Sequence, residues 1–185
     1  MKVSGNGQSK VLTTEELQLL FSKGFRNPRD RCLYAICLFT GCRISEALAL
    51  HKSDLKNKTI TFRKSTTKGK LKTRTIDIPE LLTAYLADYQ PEPNPYNPYL
   101  FPSRVGKAIS RFRADRILRM ACARVSLEGV STHSFRRTAL TQMHNAGIPL
   151  RHIQEISGHN DLGTLQRYLE VSPEQRKKAV SVIGW

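Results

Sequence analysis

The chain has 185 residues, enough for one well-buried domain and too few for two comfortable ones, with 30 Lys plus Arg against 15 Asp plus Glu and a formal net charge of +15. That excess favours a polyanionic partner, because each cation set on a phosphate releases a condensed counterion; nucleic acid leads, and an anionic membrane surface is the alternative. The longest uncharged apolar run, residues 32–39, is far short of the ~18 residues a membrane span needs, and the polar start lacks a secretory signal's apolar stretch.

Residues 1–10 are polar and contain Gly and Ser, which reads as a flexible lead-in. Thr13 followed by Glu16 has capping-box spacing and opens a helix to about residue 21. A second helix is expected over 28–40, interrupted by Gly41, and a third helical stretch over 43–50. Residues 59–62 and 73–78 are β-rich runs on either side of a basic, Gly-containing turn, the pattern of a hairpin. Pro79 stops the second strand and begins a helix to about residue 89. Pro91, Pro93, Pro95 and Pro98 then crowd one surface loop.

A long basic helix is expected over 107–125, followed by helical periods over 133–145, 150–157 and 162–169. Gly147 and Gly158 fall where helix C-terminal glycines belong. The final segment, 173–182, can form one more amphipathic helix. The expected fold class is therefore mainly α with a small antiparallel β-sheet (α+β). Cys32, Cys37, Cys42 and Cys122 have neither CxxC spacing nor a disulfide-dense pattern, and read as reduced core thiols of a cytoplasmic protein. Neither Cys nor His shows ligand spacing, so no metal is expected.

Two segments concentrate the charge. Arg63, Lys64, Lys68, Lys70, Lys72 and Arg74 lie in or beside the hairpin with no acid among them. Arg104, Lys107, Arg111, Arg113, Arg116, Arg119 and Arg124 are opposed only by Asp115. A charge run is usually a solvated face, but here too few acids are present for ordinary i,i+4 pairing. Arg also suits bidentate phosphate contact, so both segments are read as touching nucleic acid.

Cutting a phosphodiester without metal needs a nucleophile, neutralisation of the added negative charge and a proton for the leaving oxygen. Tyr suits the first task, because its phenol (pKa about 10) leaves well in the reverse step. Two Arg forks suit the second, and His and Lys the third. The carboxy-terminal third supplies such a set. His133 and Arg136 are three residues apart on one helix face, in Thr132-His133-Ser134-Phe135-Arg136-Arg137. His159 follows in Ser157-Gly158-His159, a break between helices, and Tyr168 lies nine residues beyond it. Far upstream, Thr40-Gly41-Cys42-Arg43-Ile44-Ser45-Glu46 places Arg43 after a glycine turn with Glu46 one turn on.

At these residues the chain resembles the tyrosine recombinase (lambda-type integrase) family, over about residues 11–171. That family carries an Arg in a TGxRxxE stretch, a hairpin Lys, an HxxR pair, a GH or GW, and a Tyr nucleophile nine residues later. All have counterparts here in family order. The resemblance implies the family's catalytic-domain fold over 11–172, with Arg43 and Arg136 on the scissile phosphate's non-bridging oxygens. It implies attack by Tyr168 to give a 3′-phosphotyrosine and a free 5′-hydroxyl, with His133 assisting proton transfer and His159 hydrogen-bonding the phosphate. Glu46 would orient neighbouring groups. A second strand's 5′-hydroxyl reverses the chemistry, so no cofactor is needed. The hairpin Lys, as general acid, falls on Lys68 or Lys70; Lys68, before the glycine, is favoured. Arg137 stands where many members carry His and is expected to add a phosphate contact.

Singly, each residue has a plainer reading. A Tyr on a terminal helix usually packs; His133 could cap a helix, His159 could follow a C-terminal glycine, and Arg43 and Glu46 could be a surface pair. His152 has no motif and is left structural, while Asn160 and Asp161 are expected to cap the helix bearing Tyr168. The plain readings do not predict five features in one order. A type IB topoisomerase, sharing the chemistry, and a non-catalytic DNA-binding relative remain as alternatives. The resemblance further implies duplex DNA as partner and a homo-oligomer (tetramer) on it, in the nucleoid. Larger relatives carry an amino-terminal clamp domain, so the chain is either an excerpt or a minimal recombinase. Residues 173–185, with apolar Val180, Val182, Ile183 and Trp185, are expected either to dock on a neighbouring protomer or to pack on their own domain.

Overall fold

The structure, a computed structural model, describes residues 9–66, 72–91, 96–166 and 173–183. Its first helix, α1 (Thr14–Leu19), starts from the expected capping box. The Glu16 amide donates to Thr13 Oγ1 at 3.2 Å, and the Thr13 amide donates to Glu16 Oε2 at 3.1 Å. It runs on into a single π-type turn, Leu20–Gly24. Helix α2 (Pro28–Thr40) is capped by Asn27, whose side chain accepts from the Arg29 amide at 2.8 Å. Every residue from Cys32 to Cys37 is buried, which makes α2 the central helix; it packs against α3 (Ile44–Leu48), α4 (Glu80–Asp88) and α6 (Thr132–Asn145).

The sheet has three antiparallel strands, β1 (Leu55–Lys56), β2 (Thr59–Phe62) and β3 (Arg74–Asp77), in the order β1-β2-β3. Ile60 and Phe62 alternate inward from β2, and Phe62 stands opposite Arg74 in register. β1 is an addition to the expected hairpin. It pairs through a turn at Asn57 and Lys58, both left-handed (φ 50° and 59°), and two residues are too few to give a period.

Helix α5 (Arg111–Arg124) is shorter than the 107–125 span expected from the basic pattern. Residues 102–108 instead close a tight turn, with Pro102 bridged to Ala108 and Gly106 at φ 75°. Ser110 then caps the helix, accepting from the Arg113 amide at 3.2 Å. Helices α6, α7 (Leu150–Ser157), α8 (Leu162–Gln166) and α9 (Pro173–Ser181) complete the described chain.

One large core surrounds α2. Tyr34 stacks on Phe25 (centroids 5.0 Å apart) and leans on Phe135 of α6 (4.8 Å), while its hydroxyl donates to the Ala114 carbonyl of α5 at 2.7 Å. The buried phenol thus keeps a partner, and α2, α5 and α6 are fixed around one ring. A smaller cluster, Leu140, Ile153 and Leu165, joins α6, α7 and α8. Burying each such side chain contributes about 1.5–3 kcal/mol, and here that burial carries α8 onto the helix bearing His133 and Arg136. All four cysteines are buried and free, as the spacing predicts. No described helix is long and apolar enough to cross a membrane.

Candidate active site

The Thr40–Arg43 turn is built by backbone chemistry. Gly41 takes φ 60° at the end of α2, a left-handed position that glycine holds without steric cost. The chain reverses there, and Arg43 becomes the N-cap of α3. Its amide donates to Glu46 Oε2 at 2.7 Å, and its guanidinium lies 3.7 Å from Glu46 Oε1. Arg43 keeps its side chain partly open, while Glu46 is almost fully buried.

The other partner of Glu46 is Arg74. Its Nη1 and Nη2 each donate to one carboxylate oxygen at 3.1 Å, a bidentate pair, with the guanidinium carbon 4.4 Å from the centroid of Phe62. Burial pushes the Glu46 carboxyl up, but the hydrogen bonds and charge of Arg74, with the amide and charge of Arg43, outweigh it and hold the carboxyl below its usual range. This corrects the expectation for Arg74. It is a buried residue turned inward and not a surface DNA contact, because a half-buried strand alternates its faces and β3 points this position at Glu46.

Arg136 ties the segments together. It is 1% exposed. Its Nη1 donates to the Gly41 carbonyl at 2.6 Å and to the Ser157 carbonyl at 2.8 Å, and its Nη2 reaches the His159 ring at 3.0–3.2 Å. The TGxR turn, the HxxR helix and the break after α7 therefore meet at one guanidinium. Of its five N–H donors these contacts use three, and the buried Nε has no partner among the described residues. Burial, then the charge of Arg43, lowers its pKa to about 10, so it stays cationic at neutral pH.

His159 is buried, and Gly158 (φ 67°) turns the chain to place it. Its Nδ1 lies 2.7 Å from Ser157 Oγ, which itself donates to the Gln154 carbonyl at 3.3 Å. That order of donors puts the ring proton on Nδ1 and leaves Nε2 to accept from Arg136. Burial and the charges of Arg136, Arg43 and Arg74 push its pKa down to about 3, so the ring is neutral at working pH. His133 sits in the first turn of α6, where Ser131 caps the helix. Partial desolvation, then Arg111, Arg136 and Arg43, lower its imidazole below the ordinary value. Arg43 and Arg136 thus act on both histidines, and Arg43 on Arg136, so these four groups lie within electrostatic reach of one another.

Lys68, Lys70 and Tyr168 lie outside the described residues. Lys64, Lys72, Lys107, Arg111 and Arg113 are exposed. Besides Arg74, two more of the cations expected on DNA are used within the protein. Arg63 donates to the Ala49 carbonyl at 2.7 Å and pairs with Asp54 at 3.2 Å, bracing the sheet. Arg137 donates to the Ser9 carbonyl at 2.6 Å, so it holds the lead-in against α6 where a phosphate contact was expected. Ser9 and Lys10, read as flexible, are therefore tied down: Ser9 Oγ meets Ser131 Oγ at 2.9 Å, and Lys10 pairs with Glu16. Asp161 does cap α8, accepting from the Thr164 amide at 2.7 Å. The sequence reading missed Arg74 as partner of Glu46 and Ser157 as the group orienting His159. For Arg74 the available signal was its place in an alternating strand opposite Phe62.

The sequence matches the phage integrase family over residues 10–175. It is 33% identical over 161 residues to the probable integrase/recombinase YoeC of Bacillus subtilis (strain 168), covering 86% of this chain and 87% of that protein. It is 33% identical over 179 residues to the tyrosine recombinase XerA of Pyrococcus furiosus, covering 92% of this chain and 60% of that one. The chain thus spans over half the length of the Xer relative and most of YoeC. Among solved structures, the XerA recombinase crystal structure superposes with a TM-score of 0.81 at 21% identity, over 100% of this chain and 66% of that one. The catalytic domain of bacteriophage HP1 integrase gives 0.67 at 24% identity, over 94% and 95%.

Proposed function

The chain belongs to the phage integrase family, and on that premise we propose that it is a site-specific DNA recombinase working through a 3′-phosphotyrosine at Tyr168. What supports the reading is that Arg136 bonds both the Gly41 turn that presents Arg43 and the ring of His159, with His133 one turn before Arg136 on the same helix. Two guanidiniums from distant segments offer fixed charge to the oxygens of a phosphorane, where charge grows in the transition state. His159, neutral and buried, accepts from Arg136 through Nε2 and so orients that guanidinium without adding charge. The hydrogen bond to the phosphate that the family resemblance implies requires its proton to move from Nδ1 to Nε2. His133, also held toward the neutral form, is ready to take the phenol proton. Glu46 and Arg74 act from behind, fixing the Arg43 turn. Lys68 is the favoured proton donor to the leaving 5′ oxygen, with Lys70 as the alternative. No step needs a metal or nucleotide cofactor, since the phosphotyrosine conserves the bond energy.

Duplex DNA is the partner in this reading, with Lys64, Lys72, Lys107, Arg111 and Arg113 on its backbone. Residues 11–172 form the catalytic domain, acting in the cytoplasm on the nucleoid. Val180, Val182 and Ile183 are 67%, 77% and 80% exposed, which supports docking of 173–185 on a neighbouring protomer in a tetramer. Truncation after Ser172 should then abolish synaptic complexes on gels while leaving single-site binding; intact synapsis refutes the docking. For the chemistry, a duplex nicked beside the cleavage position traps the covalent intermediate. The native chain should give a gel-shifted adduct and Tyr168→Phe none. Adduct in the Phe variant would reject the nucleophile.

A further inference from the structure

A cleft of about 310 Å³ lies between the start of α2 and one face of α5. Four arginines line it: Arg124 is bonded to the Gly24 carbonyl at 2.7 Å, while Arg26, Arg113 and Arg116 lie over a floor that includes Ile117 and the half-exposed Met120. None of these three guanidiniums is within ion-pair distance of a carboxylate among the described residues. The cleft's own carboxylate, Asp30, is already gripped by Arg29 at 2.9 and 2.7 Å. Three like charges held around one concavity repel each other, so an anion is what this arrangement is missing.

The size and the floor narrow the chemistry. The volume is at the small end of small-molecule pockets, about 300 Å³, and too small for a protein helix. The cations are all Arg, whose planar forks fit phosphate bidentately and stack on flat rings. An apolar floor beside them suits a ring system attached to the phosphate. We propose that this cleft is a second ligand site that takes a nucleoside phosphate, free or as one unit of an unpaired DNA strand. It is separate from the active site. None of Arg43, Arg136, His133 and His159 lines it.

Isothermal titration of the full chain tests this with four probes: ADP, pentadeoxyadenylate, inorganic pyrophosphate and a pentaglutamate peptide. Arg26→Glu and Met120→Gln are the variants; both positions are exposed to solvent, and melting curves establish that each variant folds. ADP or pentadeoxyadenylate should bind, and Arg26→Glu should weaken that binding about ten-fold, the worth of one charge-assisted hydrogen bond. Met120→Gln should weaken the nucleotide while leaving pyrophosphate unchanged. Tighter binding of ADP identifies a free nucleotide as the source, and tighter binding of the oligonucleotide an unpaired strand. Nucleotide binding insensitive to Arg26→Glu, pyrophosphate binding as tight as ADP, capture of pentaglutamate alone, or no binding at all each overturns the proposal. None of these readouts depends on DNA cleavage, so a failed adduct assay and a failed titration are told apart.

Discussion

Arg136 has two duties that a single substitution removes together. Its Nη1 holds two carbonyls, those of Gly41 and Ser157, and the proposed function adds a phosphate contact. Arg43 differs, being partly open and bonded chiefly to Glu46 through its own backbone amide. Both Arg43→Ala and Arg136→Ala should abolish adduct formation while weakening duplex binding far less, because binding rests on many other cations. Only Arg136→Ala should also lower thermal stability substantially, since each buried acceptor left without a donor costs about 1–3 kcal/mol. Melting curves beside the adduct assay check this. Equal melting points for the two variants would show that Arg136 has no structural duty, and loss of binding as complete as loss of cleavage would count against both phosphate roles.

At the scale of elements, Gly158 joins the site's two layers. Its φ of 67° ends α7, and a Cβ built there would lie 2.9 Å from Arg74 Nη1. Gly158→Ala is therefore expected to be destabilising by about 1–2 kcal/mol from the left-handed backbone alone. It should also move Arg74 off Glu46 and slow adduct formation, whereas Gly147→Ala, equally left-handed (φ 78°) but with open space around it, should cost stability only. Comparable cleavage rates in the two variants would remove Gly158 from the site's support. The sequence made much of this legible. Capping residues and glycines act locally, so α1, α2 and α7 began or ended where Thr13, Asn27, Gly41 and Gly158 put them. The basic run before α5 misled for a related reason: charge has no period to mark a boundary, and Gly106 with Ser110 set it instead. Arg74 was misread because charge alone does not say which face of a strand a residue occupies. Its partner Glu46 is 28 residues away and only the tertiary fold brings them together.

For the whole molecule the same distinction decides how much of the +15 charge meets DNA. Arg63, Arg74, Arg124 and Arg137 are bonded within the protein, and Arg119 is paired with Asp115 at 3.0 Å. Cations occupied in this way release few counterions on binding, whereas Lys72, Lys107, Arg111 and Arg113 are exposed to receive a phosphate. Affinity should therefore fall with salt according to the exposed set, with each phosphate contact contributing about 0.9 to the slope of log K against log salt concentration. Lys107→Ala should reduce that slope by about one while leaving the melting point unchanged. Arg63→Ala should leave the slope as it is and lower the melting point, because Asp54 and the Ala49 carbonyl lose their partner. Filter binding over a salt series measures both. A reduced slope in Arg63→Ala, or none in Lys107→Ala, would mean that burial and pairing in the free protein do not select the residues that hold DNA.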